Sequence, residues 1–310
     1  MIEYQRIILA DKLRNSVFEK ALKSVIHKGK STVSDIGSGT GYLSFLASKL
    51  GAKECILYEM SELLELSRTL AKTNGIRNCH FVCAHSSEIS KPPKTDIVIS
   101  ETLGNIALEE GIIETMQDAK RFLKPGGTLI PSALSQFVAP LVTDHLFREV
   151  TSWDRISEEF TFTAAREISL NNVYVRSVSP SDLLDQKDAI QIWDTIDFSK
   201  AKNSPVRSEA IRWKMASDAQ VYGFALWWDA TLVPGVHLST SPSAPESHWE
   251  QVYLPVRDPL KLRHGDQLEL QLVVDSRREV RINVAWEVRQ IRGKTEVAKQ
   301  IFDMQRGMIG

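Results

Sequence analysis

Cysteine is scarce in this chain: Cys55, Cys79 and Cys83 are the only three in 310 residues. That excludes a disulfide scaffold. Cys79 and Cys83 share the run CHFVCAH with His80 and His85, but no second ligand pair with zinc-type spacing accompanies them, so no metal is expected. Neither charge is in surplus. The 38 Lys and Arg against 39 Asp and Glu leave a formal net charge of −1, which gives no standing attraction to nucleic acid or to an anionic membrane surface. Long apolar runs are missing too, and in MIEYQRIILADKLR charges follow the short stretch IILA at once, so neither a spanning helix nor a leader is read. A cytoplasmic location is the expectation. The basic run SRREVR, Ser276 to Arg281, reads as a solvated hairpin turn, and no internal repeat or low-complexity tract stands out.

What is present is a change of texture near the middle. From Asp11 to Ile26 apolar residues recur at Leu13, Val17, Ala21, Leu22 and Val25, the spacing of an amphipathic helix. STVSDIG, ECILYE, HFVCA and TDIVISE then read as strands, separated by helical patterns such as SELLELSRTLAKTNG, which Asn74 and Gly75 close. Strands alternating with helices imply a doubly wound parallel sheet over residues 1–132. After KPGGTLIPSA, short alternating strands such as DQLELQLVVD and VRINVAWEVR take over, so residues 133–310 are expected to form an antiparallel sandwich or barrel. Weak helical signals between Trp153 and Val178 interrupt that half, and Trp227 and Trp228 read as sheet core and rim.

Two loops of the first half carry chemistry. In DIGSGTG, Asp35 to Gly41, the glycines permit a sharp turn and close approach of a ligand to the backbone. Tyr42 stands where the dinucleotide fingerprint needs its third glycine, which disfavours a nicotinamide enzyme, and Glu59 ends the next strand, where an acid can accept both hydroxyls of a ribose. An S-adenosylmethionine site is the reading. In the second loop Glu101, in SETLGN, follows a strand, and Glu110 lies nine residues on with Glu109 beside it. Two carboxylates can grip a guanidinium, planar and permanently charged, by its two edges. Glu109 and Glu110 also have a plainer reading as acids that open the following helix.

With SHW, Ser247 to Trp249, these motifs together resemble the protein arginine methyltransferase family over nearly the whole chain. The resemblance implies a Rossmann-like methyltransferase domain followed by a β-barrel domain. A helical dimerisation arm at about residues 150–182 would make a head-to-tail homodimer. Carried over by position, Asp35, Gly37, Gly39 and Gly41 line the cofactor, Glu59 holds its ribose, Glu88 lies near its adenine and Arg14 binds its carboxylate. Glu101 and Glu110 clamp the acceptor guanidinium, Asp11 pairs with His248, and Trp249 packs beside the acceptor. A lone histidine is otherwise a structural hydrogen-bonder, and a lone Asp11 a first-turn helix acid.

The chain departs from that family's pattern in ways that bear on substrate. Thr102, Leu103 and Asn105 stand where Trp, Met and Tyr are usual, Gly111 and Ile112 replace Ser and Met, Ile8 replaces a second Met, and Gln5 a His. Only Tyr4 is available from the usual cofactor-covering helix, so either residues precede Met1 or the site is covered differently. These changes leave three readings: methylation of arginine in proteins or peptides, methylation of free arginine or another guanidino metabolite, and a catalytically silent dimeric scaffold.

Overall fold

The computed structural model describes residues 2–185 and 188–308. Two helices open the chain, α1 (Ile2–Ala10) and α2 (Lys12–Val25), broken at Asp11, whose side chain accepts the Arg14 N–H and so caps α2. There follow β1 (Thr32–Ile36), α3 (Tyr42–Lys49), β2 (Glu54–Tyr58), α4 (Leu63–Thr73), β3 (Cys79–Val82), β4 (Thr95–Ile99), α5 (Ile112–Ala119) and β5 (Leu123–Ile130). The five strands form one parallel sheet in the order β3-β2-β1-β4-β5. The two central strands, VSDI of β1 and DIVI of β4, are almost wholly buried, as strands covered on both faces must be. Chain order reverses between β1 and β4, so their carboxyl ends flank a crevice. The loop after β1 and the loop bearing Glu101 both rise from it.

The antiparallel half starts with β6 (Ala133–Leu141), then α6 (His145–Val150), α7 (Thr163–Leu170) and β7 (Tyr174–Arg176). It continues through β8 (Gln191–Asp197), β9 (Val206–Lys214), β10 (Ala219–Val233), β11 (Val236–Ser239), β12 (Gln251–Leu262), β13 (Gln267–Asp275), β14 (Asn283–Arg292) and β15 (Thr295–Asp303). One sheet runs β7-β12-β10-β6-β8 with β11 on β10, and the other β15-β14-β13-β9. Strict alternation of buried and half-buried residues along β13 and β14 turns one face inward. Trp286, stacked on Phe302 at 4.9 Å, bridges the two sheets by donating to the Pro255 carbonyl of β12 at 3.0 Å, and Trp228 is likewise buried. The apolar core is continuous from Phe18 and Leu22 of α2 to these tryptophans, so the two halves pack as one body. Of the arm at 150–182, α7 and β7 rest against β12, whereas Ile156 and Phe160 project outward, 55% and 68% exposed.

Candidate active site

The glycine loop owes its shape to backbone that side chains disfavour. Gly37 and Gly39 have φ of +71° and +52°; a Cβ on the first would meet Thr102 at 3.2 Å and on the second Gln5 at 3.2 Å. Glu59 fastens the turn, one carboxylate oxygen accepting the Gly39 N–H at 2.9 Å and the other that of Ser61 at 2.8 Å. Asp35 is buried and accepts the Ser44 hydroxyl at 2.8 Å; burial raises its pKa to about 6 against the lowering effect of Ser44.

Two residues expected at this cradle stand elsewhere. Gly41 begins α3 facing inward, where a Cβ would lie 2.3 Å from Ser67 Oγ, so it serves packing and not the cavity. Glu88 folds back to accept its own turn's His85 N–H at 3.1 Å, because a short turn leaves that donor unpaired, and it does not reach the cavity.

The carboxylates of the second loop divide their work. Glu101 and Arg14 form a buried pair: Nε and Nη2 of Arg14 donate to Glu101 Oε2 at 2.9 and 2.5 Å, while Oε1 accepts the Leu103 N–H at 3.2 Å. Arg14 Nη1 donates to Asn15, which leaves one N–H on each terminal nitrogen for a ligand. Glu109 is used internally, tucked under Gly104 and accepting the Asn105 N–H at 2.9 Å. Glu110 instead faces the cavity. Burial, Glu101 and Glu109 together push its pKa up to about 7, against the lowering effect of a hydrogen bond from Tyr4. The Tyr4 phenol is raised to about 12 by burial and by the same carboxylates.

Across 237 residues of sequence, Asp11 Oδ2 accepts both the His248 N–H, at 2.8 Å, and its ring Nδ1, at 2.7 Å. Burial opposes ionisation of Asp11, but the N–H groups of Arg14 and His248 and the imidazole outweigh it and hold the carboxyl below its usual range. The imidazole lies 3.8 Å from the Trp249 ring, and Trp249 Nε1 donates to the Leu103 carbonyl at 2.7 Å. Contacts therefore close a ring from Glu101 through Arg14, Asp11, His248, Trp249 and Leu103 back to Glu101. Trp249 was expected beside the acceptor; it packs behind His248 because its N–H is spent on the loop carbonyl, and it does not line the cavity.

Glu101, Glu110, Arg14, Glu59, Asp35, Gly37, Gly39 and His248 all border one cavity of about 320 Å³. Asp11 supports it from behind. The sequence reading missed its roof: α1 lies over the cavity and contributes Tyr4, Gln5, Ile8 and Leu9. The one-turn spacing of Tyr4 and Ile8, ahead of the Asp11 cap, was the available signal. Also unforeseen are the hydroxyls of Ser38 and Thr102, which border the same cavity, buried and without a hydrogen-bond partner among the described residues. Beyond Trp249 a wider hollow of about 760 Å³ is bordered by Asp182, Glu246 and Glu250 and, among the described residues, by no lysine or arginine.

Residues 135–291 match the model of the arginine methyltransferase oligomerization subdomain, and residues 18–159 that of ribosomal protein L11 methyltransferase (PrmA). Among curated proteins the chain is similar to the histone-arginine methyltransferase CARMER of Anopheles gambiae, 26% identical over 88% of this chain and 46% of that protein. The Drosophila yakuba counterpart is 25% identical over 98% of this chain and 59% of its own length. The chain thus spans about half the length of these relatives. Among solved structures it is similar in fold to the Trypanosoma brucei PRMT1 enzyme–prozyme heterotetrameric complex with AdoHcy, with a TM-score of 0.83 at 23% identity over 97% of this chain and 98% of that one. Arabidopsis thaliana protein arginine methyltransferase 10 gives 0.80 at 21% identity, over 98% of both chains.

Proposed function

The chain belongs to the arginine methyltransferase family, and from that premise we propose that it methylates a guanidinium nitrogen of arginine in proteins or peptides, with S-adenosylmethionine as donor. The observation that carries this reading is the meeting of Glu101 and Glu110 with the Gly37–Gly39 cradle and Glu59 on one cavity. The residues fit the donor. Glu59 has lone pairs left for ribose hydroxyls, Arg14 has two N–H groups left for a carboxylate, the unpartnered Ser38 and Thr102 hydroxyls await a polar ligand, and the glycines leave the space a Cβ would fill. Bound there, S-adenosylmethionine supplies an electrophilic sulfonium methyl group.

The chain's own residues supply position and charge. Glu101, fixed by Arg14 and Leu103, and ionised Glu110 orient the guanidinium and draw its positive charge toward the nitrogens they hold, leaving electron density on the remaining one. His248, steadied by Asp11, is placed to take up the proton that the methylated nitrogen must lose. α1 covers the cavity and limits water. The carboxylate-bordered hollow beyond Trp249 supports a basic polypeptide as acceptor over a free amino acid.

Transfer from labelled S-adenosylmethionine, run in parallel on free arginine and on an Arg/Gly-rich peptide, tests the reading. Labelled peptide is expected. Label in free arginine alone would move the chain to small-molecule biosynthesis, and failure to bind S-adenosylmethionine at all would leave a scaffold.

A head-to-tail homodimer is part of the same proposal. The exposed Ile156 and Phe160 of one arm are complementary to an apolar groove bordered by Tyr42, Phe45, Leu46, Leu70 and Ile76 on the other copy. Burying one phenylalanine contributes about 1.5–3 kcal/mol, and two-fold symmetry counts it twice. Phe160→Asp is therefore expected to weaken the dimer by at least about 100-fold and give a monomer by light scattering at micromolar concentration. A dimer of undiminished affinity would remove the arm from the interface. Leu9, Thr40 and Tyr42 border both the groove and the active-site cavity, so the monomeric variant is expected to bind S-adenosylmethionine more weakly as well.

A further inference from the structure

The acceptor loop between Glu101 and Glu110 contains neither strand nor helix, and Leu103 and Gly104 within it are buried. Buried carbonyls need donors, and here the donors come from the antiparallel half. Trp249 Nε1 serves the Leu103 carbonyl at 2.7 Å, Trp228 Nε1 the Gly104 carbonyl at 3.0 Å, and the Glu250 N–H the side-chain oxygen of Asn105 at 2.9 Å. Trp228 is itself well anchored. It is 1% exposed, its N–H and carbonyl are both bonded to Thr240 at 3.0 Å, and its ring meets Trp249 edge to face at 5.1 Å. On the other side Glu109 presses on Gly104, where a Cβ would lie 2.1 Å away. Gly104 is thus held by Trp228 and by Glu109, on the stretch that joins the two cavity-facing carboxylates.

We propose that Trp228 is a positioning residue: its indole N–H sets the course of the acceptor loop and so the separation of Glu101 and Glu110. The antiparallel half thereby tunes a carboxylate pair carried by the parallel half. The inference rests on the arginine-methylation reading, and misplacing a clamp by a fraction of an ångström lowers the rate of transfer more than it lowers ground-state affinity.

The test uses the full chain with Arg/Gly-rich peptide and S-adenosylmethionine. Trp228→Phe keeps the ring and removes the N–H; its neighbour on the opposite face of β10, Trp227, stacked on Phe137 at 6.0 Å and packed in a separate apolar cluster, receives the same substitution as a control. Trp228→Phe is expected to lower kcat about tenfold, with KM and the Kd for S-adenosylmethionine within twofold, while Trp227→Phe keeps the wild-type kcat. Equal losses in both variants, no loss in Trp228→Phe, or a parallel loss of cofactor affinity would overturn the proposal. A measurement on the unaltered protein guards against misfolding of the variants: the Trp228 indole N–H, followed by nuclear magnetic resonance, is expected to exchange with solvent at least 100-fold more slowly than free indole, and exchange at the free rate would also overturn it. Turnover by the wild-type chain separately decides the methylation reading.

Discussion

Glu101→Gln is expected to lower turnover on the order of 10³-fold while leaving the affinity for S-adenosylmethionine within about threefold, since the glycine cradle and Glu59 lie on other loops. The reason is a charge balance. With acceptor bound, two guanidinium groups, that of Arg14 and that of the substrate, share one cavity with Glu101 and Glu110. Arg14 already donates two hydrogen bonds to Glu101 Oε2, at 2.9 and 2.5 Å, and both side chains are more than nine-tenths buried. Glutamine preserves the shape and one acceptor oxygen but leaves Glu110 alone against two cations, and its amide must point N–H groups at one of them. Weakening the Arg14 pair is expected to reduce folding stability by about 2 kcal/mol as well. Steady-state assays beside calorimetric titration with S-adenosylmethionine separate the two effects. A Glu101→Gln enzyme with the normal rate would end the clamp model.

The parallel half was legible because its signals are local. STVSDI, ECILY and TDIVI are short apolar runs bounded by turns, and α4 was marked by its period and by the Asn74–Gly75 close, so helix and strand could be placed within a residue or two. The ion pair of Glu101 with Arg14, the Asp11–His248 bond and the indole bonds to the acceptor loop span 87 to 237 positions of sequence. No periodicity encodes them; motif order alone suggested the Asp11–His248 pair, and nothing suggested the rest. Trp249 shows the limit of position matching. The motif placed it near the acceptor, but its single N–H could satisfy either a ligand-facing role or the buried Leu103 carbonyl, and burial favours the carbonyl. α1 was missed for the opposite reason: its signal is local but short, and none of its residues is buried.

Methylation should also depend steeply on pH, through Glu110. Its pKa, raised to about 7 by burial and by Glu101 and Glu109, places its ionisation in the working range, and only the carboxylate can hold a guanidinium that stays charged throughout. On the free enzyme kcat/KM is therefore expected to rise tenfold per pH unit up to about pH 7 and to level off above it. Glu110→Gln should lower the plateau on the order of 100-fold and abolish the acid limb. If the variant keeps that limb, another group sets it, and Asp35, raised to about 6 by burial, is the foremost alternative. Folding stability is linked to the same proton with the opposite consequence. Folded Glu110 keeps its proton up to about pH 7 whereas the unfolded chain releases it from the ordinary value of 4.5, so between these pH values the folded state binds more protons and this residue's contribution to stability falls as pH rises. A bound guanidinium offsets that loss by favouring the carboxylate. Saturation with acceptor peptide is accordingly expected to raise the thermal midpoint more at pH 8 than at pH 6 in the wild-type chain, and by the same amount at both in Glu110→Gln; equal shifts in the wild type would show that Glu110 does not exchange its proton for the substrate's charge.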